Sequence, residues 1–96
     1  MMYDLPVTTN GNRKANEKFR KYLLRRGYIF MQKSVYVKLI RSRRTVPQEI
    51  LSIKNEAPKG GIVNVLPLKL DDFLKLETVS GMSFHMEVFA DDIVVL

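Results

Sequence analysis

The chain has 96 residues, sixteen Lys/Arg against ten Asp/Glu (net charge +6), one histidine and no cysteine. One domain is the expectation at this length, too short for a cofactor domain plus a substrate domain. The missing cysteines exclude disulfides, thiolate metal sites and a cysteine nucleophile, and a serine triad or His-rich zinc site would rest on His85 alone.

Taken in order, Met1–Leu5 reads as a short strand ending at Pro6. It has no basic, long apolar leader, and no stretch approaches the ~18 apolar residues of a membrane span. The expectation is a soluble, cytoplasmic protein without a membrane partner. Thr8, Thr9 and Asn10 are candidate helix N-caps. A first helix is predicted over Arg13–Arg26, with Ala15, Phe19, Tyr22 and Leu23 as its core stripe and Gly27 as the stop. Tyr28–Gln32 and Ser34–Ile40, rich in β-branched and aromatic residues, predict two strands joined tightly around Lys33. Thr45-Val46-Pro47-Gln48 has the capping-box pattern. It opens a second helix whose apolar face is Val46, Ile50, Ile53 and Ala57, ended by Pro58. Ile62–Leu68 predicts a strand with Pro67 near its end. Asp71–Leu76 predicts a helical turn, and Met86–Phe89 and Ile93–Leu96 are strand-like. The order β-α-β-β-α-β plus a tail predicts an α+β, ferredoxin-like sandwich with an additional C-terminal strand segment. In that architecture two helices cover one face of a four-stranded antiparallel sheet. The other apolar face, in so small a chain, calls for a partner.

The charge is unevenly placed. Residues 1–59 carry a balance of +10, and residues 60–96 a balance of −4. This pattern fits either phosphate-backbone binding or ordinary solubility. Lys14, Lys18, Lys21 and Arg25 share one helical stripe away from the core stripe. Mutual repulsion there costs a few tenths of a kcal/mol per pair, which a phosphate track would offset; a solvated face is the alternative. Arg41, Arg43 and Arg44 fall on a turn, where guanidinium groups can fork onto phosphate oxygens, again with a solvated turn as the alternative.

Asp4 is the sharpest single residue, because strands disfavour aspartate. It reads as a Mg²⁺ ligand or as an acceptor for the amides of the following turn, and the residues alone favour the turn. Arg26-Gly27-Tyr28-Ile29-Phe30-Met31 imitates the start of an RNA-recognition-motif signature. Ile29 stands where that signature needs a small residue, Lys33 where it needs an aromatic, and the strand is the second rather than the third. Gly60-Gly61 reads as a turn and His85 as a surface or packed side chain.

Tyr3-Asp4-Leu5-Pro6, Phe19-Arg20-Lys21-Tyr22-Leu23-Leu24, Gly27-Tyr28, Met31-Gln32-Lys33-Ser34-Val35-Tyr36 and Ala57-Pro58-Lys59-Gly60-Gly61 together resemble the small CRISPR-associated adaptation subunit, the CRISPR-associated endoribonuclease family. The match in order and spacing spans roughly residues 3–68, and its "DLP…Q-x-SVY" combination is similar to members found beside single-protein effectors. The resemblance implies a homodimer at the centre of the spacer-acquisition complex, where it bridges dimers of the CRISPR integrase on a short double-stranded DNA. RNA is the alternative nucleic acid.

The family's metal-ligand aspartate carries over to Asp4, both catalytic and metal-binding in the enzymatic reading, with at most one Mg²⁺ per dimer. The first strand has fewer apolar residues before Asp4 than the family pattern, the mark of a truncated strand or a late start site. Residues 1–68 are expected to form the core and 69–96 a tail in dimer or integrase contact, within a single domain.

Three functions compete. The first is a structural, DNA-positioning subunit. The second is a metal-dependent endonuclease or endoribonuclease, in which metal would polarise a phosphoryl oxygen and activate water. The third is a toxin-like ribonuclease of the virulence-associated protein D type. No histidine or second acid lies near Asp4 in sequence to act as a base, so any cleavage is expected to be weak and not required for integration.

Overall fold

The computed structural model describes residues 1–85 and 94–96. The elements are β1 (Met2–Asp4), α1 (Asn10–Arg25), β2 (Ile29–Gln32), β3 (Val35–Val37), β4 (Leu39–Ile40), a 3₁₀ turn (Arg43–Thr45), α2 (Val46–Glu56), β5 (Ile62–Asn64), β6 (Leu68–Lys69), α3 (Leu70–Phe73) and β7 (Val94–Val95). The main sheet has the order β2-β3-β1-β5, all antiparallel, with Met2 opposite Val35 and Asp4 opposite Ile62. Two interleaved β-α-β units produce that order. The fold is α+β and ferredoxin-like, as the pattern predicts.

Local chemistry explains most boundaries. The Thr9 hydroxyl accepts the Asn12 amide at 3.0 Å, so α1 starts a turn earlier than the apolar stripe alone indicates. Gly27 stops it at φ +91°. Ser34 takes φ +64° in the β2–β3 hairpin, a left-handed position next to Lys33.

Four expectations need correction. The strand expected over Ser34–Ile40 breaks at Lys38, and its second part, β4, joins another sheet ordered β4-β7-β6. The Ile62–Leu68 strand likewise ends at Asn64, and Leu68 begins β6 beyond Pro67, which has no amide to donate. The capping box does not form: Thr45 is already helical (φ −88°, ψ −8°), and its hydroxyl donates to the Ser42 carbonyl at 2.7 Å. The preceding 3₁₀ turn has taken the residue that should have been the cap. The helix-free face of the main sheet is also not bare. Phe73, Leu76 and Val95 meet Met2, Met31, Val35 and Val37 around an apolar groove of about 360 Å³.

The core lies under the helices: Phe19, Leu23, Tyr28, Tyr36, Ile53 and Leu96 are all buried. Tyr3 belongs to this face, edge-on to Phe19 at 5.6 Å. Strand alternation therefore turns Met2 and Asp4 to the opposite, helix-free face. Of the strand-like tail segments, Val94–Val95 forms β7 and pairs with β4 and β6, and the Lys38 amide and carbonyl both bond Leu96. The Met86–Phe89 segment lies outside the described residues. Among the described residues no helix is long and apolar enough to cross a membrane.

Candidate nucleic-acid interface and the Asp4 position

Lys14, Lys18, Lys21 and Arg25 are exposed and line one surface groove on α1 together with Glu17. At 1.5 Å per residue the stripe runs about 16 Å along the helix. Glu17 is drawn mainly to a cation outside the stripe, with Lys21 a lesser influence. The Arg20 guanidinium, 3.0 Å away, engages that carboxylate and holds its pKa below the usual value.

The topology fixes where the stripe leads. β1 ends at Asp4, and α1 runs back along the sheet to Arg25. β2 starts at that same end, with Ile29 opposite Val37. β3 also finishes there, so the chain from Lys38 to Arg44 shares an end with Arg25. Arg41, Arg43 and Arg44 are all exposed on this segment, the last two inside the 3₁₀ turn. The two basic groups singled out in the sequence thus occupy one helix face and one end of the sheet.

Asp4 sits at the other end. It closes β1, is exposed on the helix-free face, and pairs through its backbone with Ile62. The backbone here is tightly packed. A Cβ on Gly61 would lie 2.7 Å from the Asp4 carbonyl oxygen and would collide with the Leu5 side chain. Gly61 is thus required by close approach, whereas Gly60, at φ +89° in open space, is required by its turn conformation. Among the described residues no three His, Cys, Asp or Glu side chains converge. Among the described residues Asp4 thus belongs to no cage of three or more such ligands, although Mg²⁺ often keeps its waters and uses one or two carboxylates. His85 is exposed on the tail.

One charged group escaped the sequence reading. Glu49, in the first turn of α2, is only 8 % exposed; its carboxylate accepts from Lys38 Nζ at 2.8 Å and from Arg26 at 3.1 Å. Lys38 also stands 5.5 Å above the Tyr28 ring. Burial first, and the Glu49 charge second, push the Tyr28 pKa up, and its buried hydroxyl makes no hydrogen bond of normal geometry among the described residues. The available signal was positional. Glu49 lies three residues after Val46 and four before Ile53, on the apolar side of its helix.

A small ferredoxin-like chain with a basic helix face and a lone carboxylate closing its central strand defines a class, and sequence comparison narrows it to a family. The family described as CRISPR associated protein Cas2 matches residues 1–75. The chain is 39% identical over 83 residues (86% of this chain, 82% of the relative) to a CRISPR-associated endoribonuclease Cas2 of Treponema denticola. It is 36% identical over 81 residues (84% of this chain, 76% of the relative) to a protein of the same name from Streptococcus mutans. It is also similar to the one from Ligilactobacillus salivarius, at 37% over 68 residues (71% of this chain, 67% of the relative). The chain belongs to the Cas2 family.

Proposed function

We propose that this chain is the DNA-positioning subunit of a spacer-acquisition complex, a homodimer that bridges integrase dimers on a short duplex. The observation that carries this reading is the joint placement of Lys14, Lys18, Lys21 and Arg25 in one exposed groove that runs toward the end of the sheet where the exposed Arg41, Arg43 and Arg44 also lie. Such a surface neutralises phosphates without reading bases, so affinity would be indifferent to sequence and steep in salt.

Dimer formation through the helix-free face, with the tail region 69–96 contributing, is supported by apolar side chains still exposed there. Met2 is 42 % and Ile62 62 % exposed. Two copies meeting on that face would bring two Asp4 carboxylates toward each other, and one Mg²⁺ per dimer could then be shared. Bound there, the ion would polarise a phosphoryl oxygen and lower the pKa of a water.

The endoribonuclease in the relatives' names supplies the second reading, in which Asp4 is the catalytic ligand. It is the weaker one for this chain. Of the four acids in residues 1–59, Glu17 is engaged by Arg20 and Glu49 by Arg26 and Lys38. Glu56 closes α2, and among the described residues Asp4 belongs to no cluster of three acids or histidines.

Spacer integration by a complex reconstituted with the integrase separates the two readings. Asp4→Asn should leave integration nearly unchanged and reduce any metal-dependent cleavage by orders of magnitude. Replacing Arg41, Arg43 and Arg44 together should weaken duplex binding and flatten its salt slope by about 0.9 for each phosphate that is no longer neutralised. Loss of integration in a dimeric, DNA-bound Asp4→Asn protein would reverse the assignment.

A further inference from the structure

Glu49 is the one charged side chain in the buried set among the described residues, and it is held by two cations where charge balance needs only one. The two partners are not equivalent. Lys38 is largely covered, with 20 % of its side chain exposed, and it is fixed from behind by the Tyr28 ring. Gly27 at φ +91° provides the reversal that brings Tyr28 back beneath it. Arg26 keeps 44 % of its side chain in solvent and donates one N–H to Glu49. A guanidinium has five such donors in a planar fork, so most of its donor capacity remains for another acceptor. The helix ends reinforce the arrangement: Arg26 caps the C-terminus of α1, and Glu49 lies in the first turn of α2, each at the end whose dipole favours its charge.

We infer that Glu49 is a positioning residue that presents Arg26 to a phosphate group. Arg26 then becomes part of the nucleic-acid interface, at the point where the α1 stripe meets the Arg41–Arg44 turn. The inference rests on the duplex-binding reading above. A held guanidinium loses less conformational freedom on meeting a phosphate than a swinging one, so part of the ordering cost is met in the fold. Tyr28, Lys38 and Glu49 form the series of contacts that sets its direction.

The test is the slope of log affinity against log salt, measured with the full chain and a labelled DNA duplex. Arg26→Gln changes a half-exposed side chain and should make the slope shallower by about 0.9. Glu49→Gln raises the net charge by one, yet it should also make the slope shallower, because Arg26 is no longer held. The double variant should fall no further than Arg26→Gln alone. A steeper slope in Glu49→Gln would identify Glu49 as a simple neutraliser and overturn the inference. If Glu49→Gln does not fold, Arg26→Gln decides alone, and an unchanged slope there overturns it. A wild-type chain that binds no duplex overturns this inference and the reading beneath it; wild-type binding with an unchanged Arg26→Gln slope overturns only this one.

Discussion

The two ends of the main sheet each carry one conspicuous carboxylate, and they are treated in opposite ways. Glu49 is buried, doubly paired and placed at a favourable helix end. Asp4 is exposed, and among the described residues no ion pair or side-chain hydrogen bond engages it, although its backbone is tightly enclosed. An acid that the fold needs has its lone pairs occupied from within the chain. An acid left open on a sheet face contributes little to folding and is available to something outside it. The contrast ties Glu49 to the architecture and leaves Asp4 outside the ion pairs and side-chain hydrogen bonds of the described residues.

Stability measurements can break that contrast. Glu49→Ala leaves Lys38 mostly buried without its counter-charge and should lower unfolding free energy by roughly 3 kcal/mol in urea titration, the low end for a broken buried pair because Arg26 reaches water. Asp4→Asn, by the same assay, should stay within about 0.5 kcal/mol of wild type. Equal losses would show that Asp4 is structural after all. Gly61→Ala comes next: the added methyl meets the Asp4 carbonyl and Leu5, and a decrease of about 1–3 kcal/mol is expected from overpacking.

The smallest effects are alkaline. Burial first, then the neighbouring Tyr36 hydroxyl, raise the Tyr3 pKa to about 12, and the Tyr28 pKa is raised as well. Both folded values exceed the unfolded value near 10, so their contribution is fully present below pH 10 and is lost as pH rises toward 12. Tyr28→Phe should flatten that decline, and at neutral pH it should be neutral or slightly stabilising, since it removes a buried hydroxyl without a good partner. A marked destabilisation at neutral pH would mean that the hydroxyl works with Glu49.

The sequence was most legible where a local pattern and the tertiary fold agree. Phe19 and Leu23 recur at helical spacing and are buried, Gly27 stops α1, and the alternation of strands and helices pointed to the ferredoxin-like class. It was least legible where two local patterns compete for one residue. Thr45 satisfies the capping box on paper, but the 3₁₀ turn from Arg43 uses it first. The break at Lys38 is invisible in a run of β-formers, because its cause lies in β7 and Glu49, at residues 94–96 and 49. Of the candidate site, the exposure of both basic groups was readable from spacing and turn position. The Arg26–Lys38–Glu49 contact was not, since it joins residues up to 23 apart in sequence, and only an acid on an apolar helix face hinted at it.

β1 pairs with β5 at all three of its residues, Asp4 opposite Ile62, and with β3 at Met2, so the backbone at Asp4 is anchored to β5 while, among the described residues, no ion pair or hydrogen bond engages its side chain. That combination makes position 4 a good place for a spectroscopic ruler. The chain contains no cysteine, so Asp4→Cys would create a unique attachment point for a spin label. The label would ride on a rigid strand, and a distance measured between two of them would report how copies of the chain face each other rather than how the probe wobbles.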